Sequence, residues 1–134
     1  MKPDLYSPIE FDYKVYQAMN KFRRVHGKPE LRMRPLHLLN NVAKDHCNYM
    51  LAARQMSHEN FEMRGEMFIE IYNENVAYGR FANGNEVVRR WVYSIHGHAE
   101  NMLKDWTHVG IASVIDHDMR RYVTACFIRA IRTI

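Results

Sequence analysis

The chain has 134 residues, is 47% hydrophobic and carries a formal charge of +4, which fits one domain with its own core. Its two cysteines, Cys47 and Cys126, are too few and too far apart for a disulfide framework or a CxxC redox or zinc site, and both are read as buried, reduced packing residues, with a disulfide joining them as the alternative. No apolar run reaches the roughly 18 residues of a membrane-spanning helix, and MKPDLYSPIE holds two acids and two prolines where a secretory signal would have its apolar stretch.

Phe11, Val15, Ala18, Met19, Phe22 and Val25 recur at steps of three and four, predicting a helix over 11–25 with one buried face, stopped by Gly27. Pro35 suits the first turn of a second helix, whose buried face would use Leu39, Val42, Ala43, Cys47 and Met50, with Leu51 beside it, as far as Arg54. Residues 55–70 lack a period and predict a loop with a short helical turn; their methionines, Met56, Met63 and Met67, read as core filler or as an adaptable cleft lining.

EIYNENVAY, closed by Gly79, reads as a strand over 70–78. Asn83 with Glu86 forms an N-capping pair for a helix burying Val87, Val88, Trp91 and Val92, which breaks near His96 and Gly97 before a brief turn through Asn101 to Leu103. HVGIASVIDH and RRYVTACFIRAI, joined near 116–119, predict a terminal antiparallel hairpin. Helices flanking a small antiparallel sheet, an α+β domain over 1–134, is the architecture expected. The arginine pairs Arg23 and Arg24, Arg89 and Arg90, and Arg120 and Arg121 lie in amphipathic stretches as solvated side chains, and no nucleic-acid motif accompanies them.

Between 12 and 128 the chain carries, in order, NKFRRVHGKPEL, SHENF, ENVAYG, VVRRWVYS, GHAENML, HVGIAS and RYVTACFI. This series resembles the CAP superfamily of cysteine-rich secretory proteins, venom allergens and plant pathogenesis-related proteins, in its short bacterial form. The resemblance implies an α-β-α sandwich with a small central antiparallel sheet between helical layers. It also implies a shallow cleft where two histidines and two acids can hold a divalent metal. His58 in SHENF matches the first histidine, Glu74 in ENVAYG the first acid and His98 in GHAENML the second histidine. The second acid does not carry over: three places after Trp91 stands Ser94, followed by Ile95.

Two imidazoles and one carboxylate are a plausible first shell for zinc with a position open to water or substrate. His96 and Glu100 flank His98 and can supply a missing ligand or a hydrogen bond that orients its ring. The alternative is a hydrogen-bonded polar cluster without metal. HENFE has no second histidine four places on, so the zinc-protease helix is absent, and no GxSxG string marks Ser57 or Ser94 as a nucleophile. Asn75 and Asn101 read as structural, Trp91 and Trp106 as core and rim packing, and Tyr72, Tyr78 and Tyr93 as candidate cleft walls. His26, His37, His46, His108 and His117 show no ligand spacing and read as solvent-facing or locally satisfied.

The function expected is a binding or interaction module whose cleft, with His58, Glu74 and His98, takes a divalent metal such as zinc and a small molecule, peptide or protein. The alternative is a metal- or histidine-assisted hydrolase in the same cleft. No nucleic acid is expected as a partner, and the family resemblance places the protein outside the cell or at its surface.

Overall fold

The computed structural model describes residues 9–33, 38–68 and 70–130. Their elements run α1 (Glu10–Val25), α2 (Leu38–Ala53), α3 (Phe61–Glu66), β1 (Ile71–Gly79), α4 (Gly84–Tyr93), α5 (His98–Met102), β2 (His108–Ile115) and β3 (Arg121–Arg129). Pro35 and His37 lie outside the described residues.

The three strands form an antiparallel sheet in the order β1-β3-β2. β3 is central because the hairpin joins it to β2, pairing Ile111 with Ala125, while β1 lies on its other side with Glu74 opposite Cys126. Alternation along β3 then divides the core in two. Val123, Ala125 and Phe127 pack with Val15 and Met19 of α1, Val87 and Trp91 of α4, and Met102 of α5. Tyr122, Cys126 and Ile128 face Leu39, Val42, Ala43, Cys47 and Met50 of α2. The sheet thus lies between helical layers, the α-β-α arrangement expected. Gly110 lets α2 sit close, because a Cβ there would come 2.6 Å from the backbone of Leu39.

The buried line of α1 differs from the apolar one. It passes through Asp12, Val15, Met19, Asn20 and Arg23, while Val25 is exposed on the last turn. Arg23 is therefore not a solvated arginine: at 1% exposure it donates to the carbonyls of Pro29, Met102 and Lys104, tying α1 to the segment after α5. Asp12 accepts a 2.6 Å hydrogen bond from the Ser113 hydroxyl of β2.

At α4 the side chain of Asn83 accepts from the amide of Asn85, and Glu86 accepts from the amide of Ala82 rather than from the cap residue itself. Met50 is buried, but Met56, in the loop after α2, and Met63 and Met67, on the side of α3 away from buried Arg64, are exposed. They are neither core filler nor cleft lining. Cys47 and Cys126 are buried free thiols.

Candidate functional site

β1 is an edge strand, and side chains close its open edge. The amide of Glu74 donates to Asn73 Oδ1, while the carbonyls of Glu74, Val76 and Tyr78 accept from Asn101, Trp91 and Arg90. Capping of this kind suppresses strand addition and leaves a cleft of about 540 Å³ straddling the edge, between the loop into α3 and the turn into α5. His58, Glu74, His96, His98 and Glu100 all line it, so the structure brings the sequence-selected residues to one place.

On one side of the edge is a saturated carboxylate. The Glu74 side chain has no exposure. Arg64 donates to it twice, 2.9 Å from Nε to Oε1 and 2.6 Å from Nη2 to Oε2. The Tyr72 hydroxyl donates to Oε1 at 2.5 Å, and His58 Nδ1 stands 2.9 Å from Oε2. A carboxylate only accepts, so Nδ1 of His58 carries the proton and Nε2 is left unprotonated in the neutral ring. Burial pushes the Glu74 carboxyl up, but the bonds from His58, Arg64 and Tyr72 outweigh it and hold the group at about 2. Cys126 Sγ lies 3.0 Å from the Tyr72 oxygen; since that hydroxyl proton goes to Glu74, the thiol is the donor.

On the other side is His98, whose Nδ1 lies 2.7 Å from Ser94 Oγ. The hydrogen bond orienting this ring therefore comes from the serine at the position of the missing acid, not from His96 or Glu100; Ser94 also accepts from the His96 amide. α5 is docked by Asn75, which donates to the His98 carbonyl at 3.1 Å, and by Asn101, which donates to Asn75 Oδ1 at 2.9 Å. Burial lowers the pKa of His98, and the nearby His58 and His96 lower it further, so the ring is neutral at pH 7.

Sequence reasoning did not select Arg64 or His46. Arg64 is the only lysine or arginine between 55 and 70, and a buried glutamate on the next strand needs a permanent counter-charge, which was the available signal. His46 is buried on α2 and donates from Nε2 to the Ser57 carbonyl at 2.7 Å, fixing the loop one residue before His58. His108 is likewise buried, with Nδ1 2.8 Å from Thr107 Oγ1, whereas His26 and His117 are exposed.

The tyrosines are not cleft walls. Tyr72 braces Glu74 from within, Tyr78 stacks on Tyr122 on the α2 face, and Tyr93 projects outward from the end of α4. Trp91 and Trp106 are both buried. Ser57 accepts from the Glu59 amide as a loop hydroxyl. Among the described residues, no three His, Cys, Asp or Glu side chains are grouped to hold a metal ion. The Glu74 carboxylate accepts from an arginine and a tyrosine and faces one imidazole.

Comparison with known proteins follows the same lines. The family model described as cysteine-rich secretory protein family, CAP, matches residues 16–127. An outer surface protein of Borrelia burgdorferi is similar in structure with a TM-score of 0.77 at 20% identity, over 96% of this chain and 97% of that one. A cysteine-rich secretory protein of Staphylococcus aureus gives 0.72 at 15% identity, over 97% of this chain, which spans 42% of the longer protein. Venom allergen-like protein 4 of Schistosoma mansoni gives 0.64 at 15% identity, over 89% of this chain and 88% of that one. No curated protein sequence matches the chain.

Proposed function

The chain belongs to the CAP family of cysteine-rich secretory proteins, and on that premise we propose that it is a binding module whose polar cleft takes a divalent metal at His58 and His98 together with a small polar molecule or peptide. The observation that carries this reading is the way the two rings are held. Nδ1 of each is engaged by the fold, by Glu74 and by Ser94, and each Nε2 is left for a ligand at a shared cleft. Metal-binding imidazoles are oriented by such hydrogen bonds on the opposite nitrogen.

The donor chemistry fits a metal in part. Glu74 suits the role of a carboxylate orienting His58 and does not suit that of a ligand, because Arg64 and Tyr72 occupy its oxygens. Two imidazoles are fewer protein ligands than a structural zinc site has, so modest affinity is expected, with Glu100 and His96 at the rim as supplementary donors. A bound metal would supply a Lewis acid with positions open to oxygen or nitrogen atoms of a ligand. Low carboxyl pKa makes Glu74 a poor general base at neutral pH, which favours binding over hydrolysis through this group.

Zinc titration of chelator-stripped protein, followed through the imidazole nitrogens, tests the reading. Saturable shifts at His58 and His98 support it; a response confined to other histidines contradicts it.

One contact favours a second reading, a histidine-assisted hydrolase, because Ser94 Oγ is within hydrogen-bond reach of His98 Nδ1. Labelling of Ser94 by an activated fluorophosphonate, lost in His98→Ala, is its expected signature, and an unlabelled Ser94 removes it. An extracellular or surface setting is supported by the outer surface protein among the structural neighbours. No helix among the described residues is long and apolar enough to cross a membrane.

A further inference from the structure

A second concavity of about 500 Å³ adjoins the cleft where the start of β1, the segment after α5 and the end of β3 meet, and it shares Asn73 and Lys104 with the cleft. Its charge is unbalanced: Lys28, Lys104 and Arg129 line it against one acid, Asp105. Among the described residues none of these three cations is paired with a carboxylate. They come from three distant parts of the chain, so their convergence is a product of the fold rather than of a basic run in the sequence.

Arg23 strengthens the field from behind. Its buried guanidinium contacts carbonyls rather than a carboxylate, and one of them belongs to Lys104 in the pocket wall. Arg23 adds positive charge behind the wall, offset in part by Asp105, whose charge acts on it without a direct contact. The same contacts turn the Pro29, Met102 and Lys104 carbonyls toward Arg23, so their oxygens are directed to a cation rather than toward an incoming anion.

The remaining wall is rigid and aromatic. Trp106 is fixed by a 2.6 Å bond from Nε1 to the Asn101 carbonyl and by stacking on Phe127. It lines the pocket.

We propose that this pocket is an anion-binding site for a phosphate or carboxylate carried on a planar or apolar body, with Lys28, Lys104 and Arg129 as charge partners and the edge of Trp106 as the apolar wall against which the body rests. The assignment does not depend on a metal in the neighbouring cleft.

Amide titrations of the full chain with phenyl phosphate, with benzoate and with phenol at fixed ionic strength test it and separate the two anion chemistries. Saturable shifts at Asn73, Lys104 and the Trp106 indole are expected with at least one anion and not with phenol. Lys28→Gln/Arg129→Gln should weaken that binding by about tenfold or more. These side chains make no bonds within the described protein, so the variant keeps its fold, checked by its amide spectrum, and its zinc response at His58 and His98 should match the parent. The proposal is overturned if neither anion gives saturable shifts, if phenol reproduces them, or if the double variant binds as well as the parent. Anion binding without any zinc response supports this pocket and counts only against the metal reading of the cleft.

Discussion

Arg64 and Glu74, ten residues apart and both buried, face each other through two parallel hydrogen bonds of 2.9 and 2.6 Å. Removing one partner of a buried pair leaves the other charge without compensation, which typically costs about 3–5 kcal/mol. Arg64→Met is expected to lose about that much stability in urea unfolding, and Arg64→Met/Glu74→Gln to recover most of it. A single variant within about 1 kcal/mol of the parent would show that water compensates Glu74.

Two buried carboxyls act in opposite directions on the pH dependence of stability. Glu74 is held at about 2 against an ordinary 4.5, so its contribution is full above 4.5 and is lost as pH falls toward 2. Asp12 is pushed up from 3.8 to about 6, chiefly by burial, although Ser113, Lys44 and Arg121 oppose the shift. Its folded form holds the proton more tightly than the unfolded chain, so its contribution is full below 3.8 and is lost as pH rises through 6. Each effect is worth about 3 kcal/mol, so these two groups by themselves favour a pH near 4, whereas His46 and His98, lowered by burial from 6.5, contribute stability that is full above 6.5 and is lost as pH falls. Asp12→Asn should shift the slope of stability against pH between 4 and 6 upward in a series of denaturant unfolding curves; a slope unchanged from the parent would remove Asp12 as a contributor.

Much of the fold was legible because each element carries a clean period. The buried faces of α2 and α4 are those the spacing selects, as at Leu39, Cys47, Val87 and Trp91, and the terminal hairpin turns within 116–119. α1 was less transparent because polar side chains occupy its buried line: Asp12 and Arg23 are satisfied by Ser113 and by carbonyls far away in the chain, and periodicity does not register such partners. The histidines and Glu74 were legible only through family resemblance, since they converge from three segments. Arg64 and Ser94 acquire their roles from partners on other segments or turns, and a local pattern does not mark them.

Ser94 holds the His98 ring, so Ser94→Ala should weaken zinc binding at the cleft by about tenfold, the lower range for loss of an orienting partner. Ser57→Ala should leave it unchanged, because that hydroxyl bonds only a loop amide. Parallel zinc titrations check both; equal affinity for Ser94→Ala and parent would mean that the ring is placed by α5 alone.

The thiols should be silent in the native protein. Burial pushes Cys47 up to about 12 and also raises Cys126, while Cys47 contacts the Ala112 carbonyl and Thr124 Oγ1, each at 3.2 Å. A disulfide-exchange reagent is expected to detect no thiol at pH 8 and two after unfolding. Rapid native reaction would contradict the packing around α2.

Calorimetric titration of zinc into chelator-stripped protein near neutral pH, beside the His58→Ala/His98→Ala variant with its fold confirmed, tests the central claim most directly. The account predicts saturable binding of modest affinity in the parent and none in the variant. Binding of equal strength in both, or none in the parent, would contradict a metal held by the two imidazoles and leave the cleft as a hydrogen-bonded polar cluster.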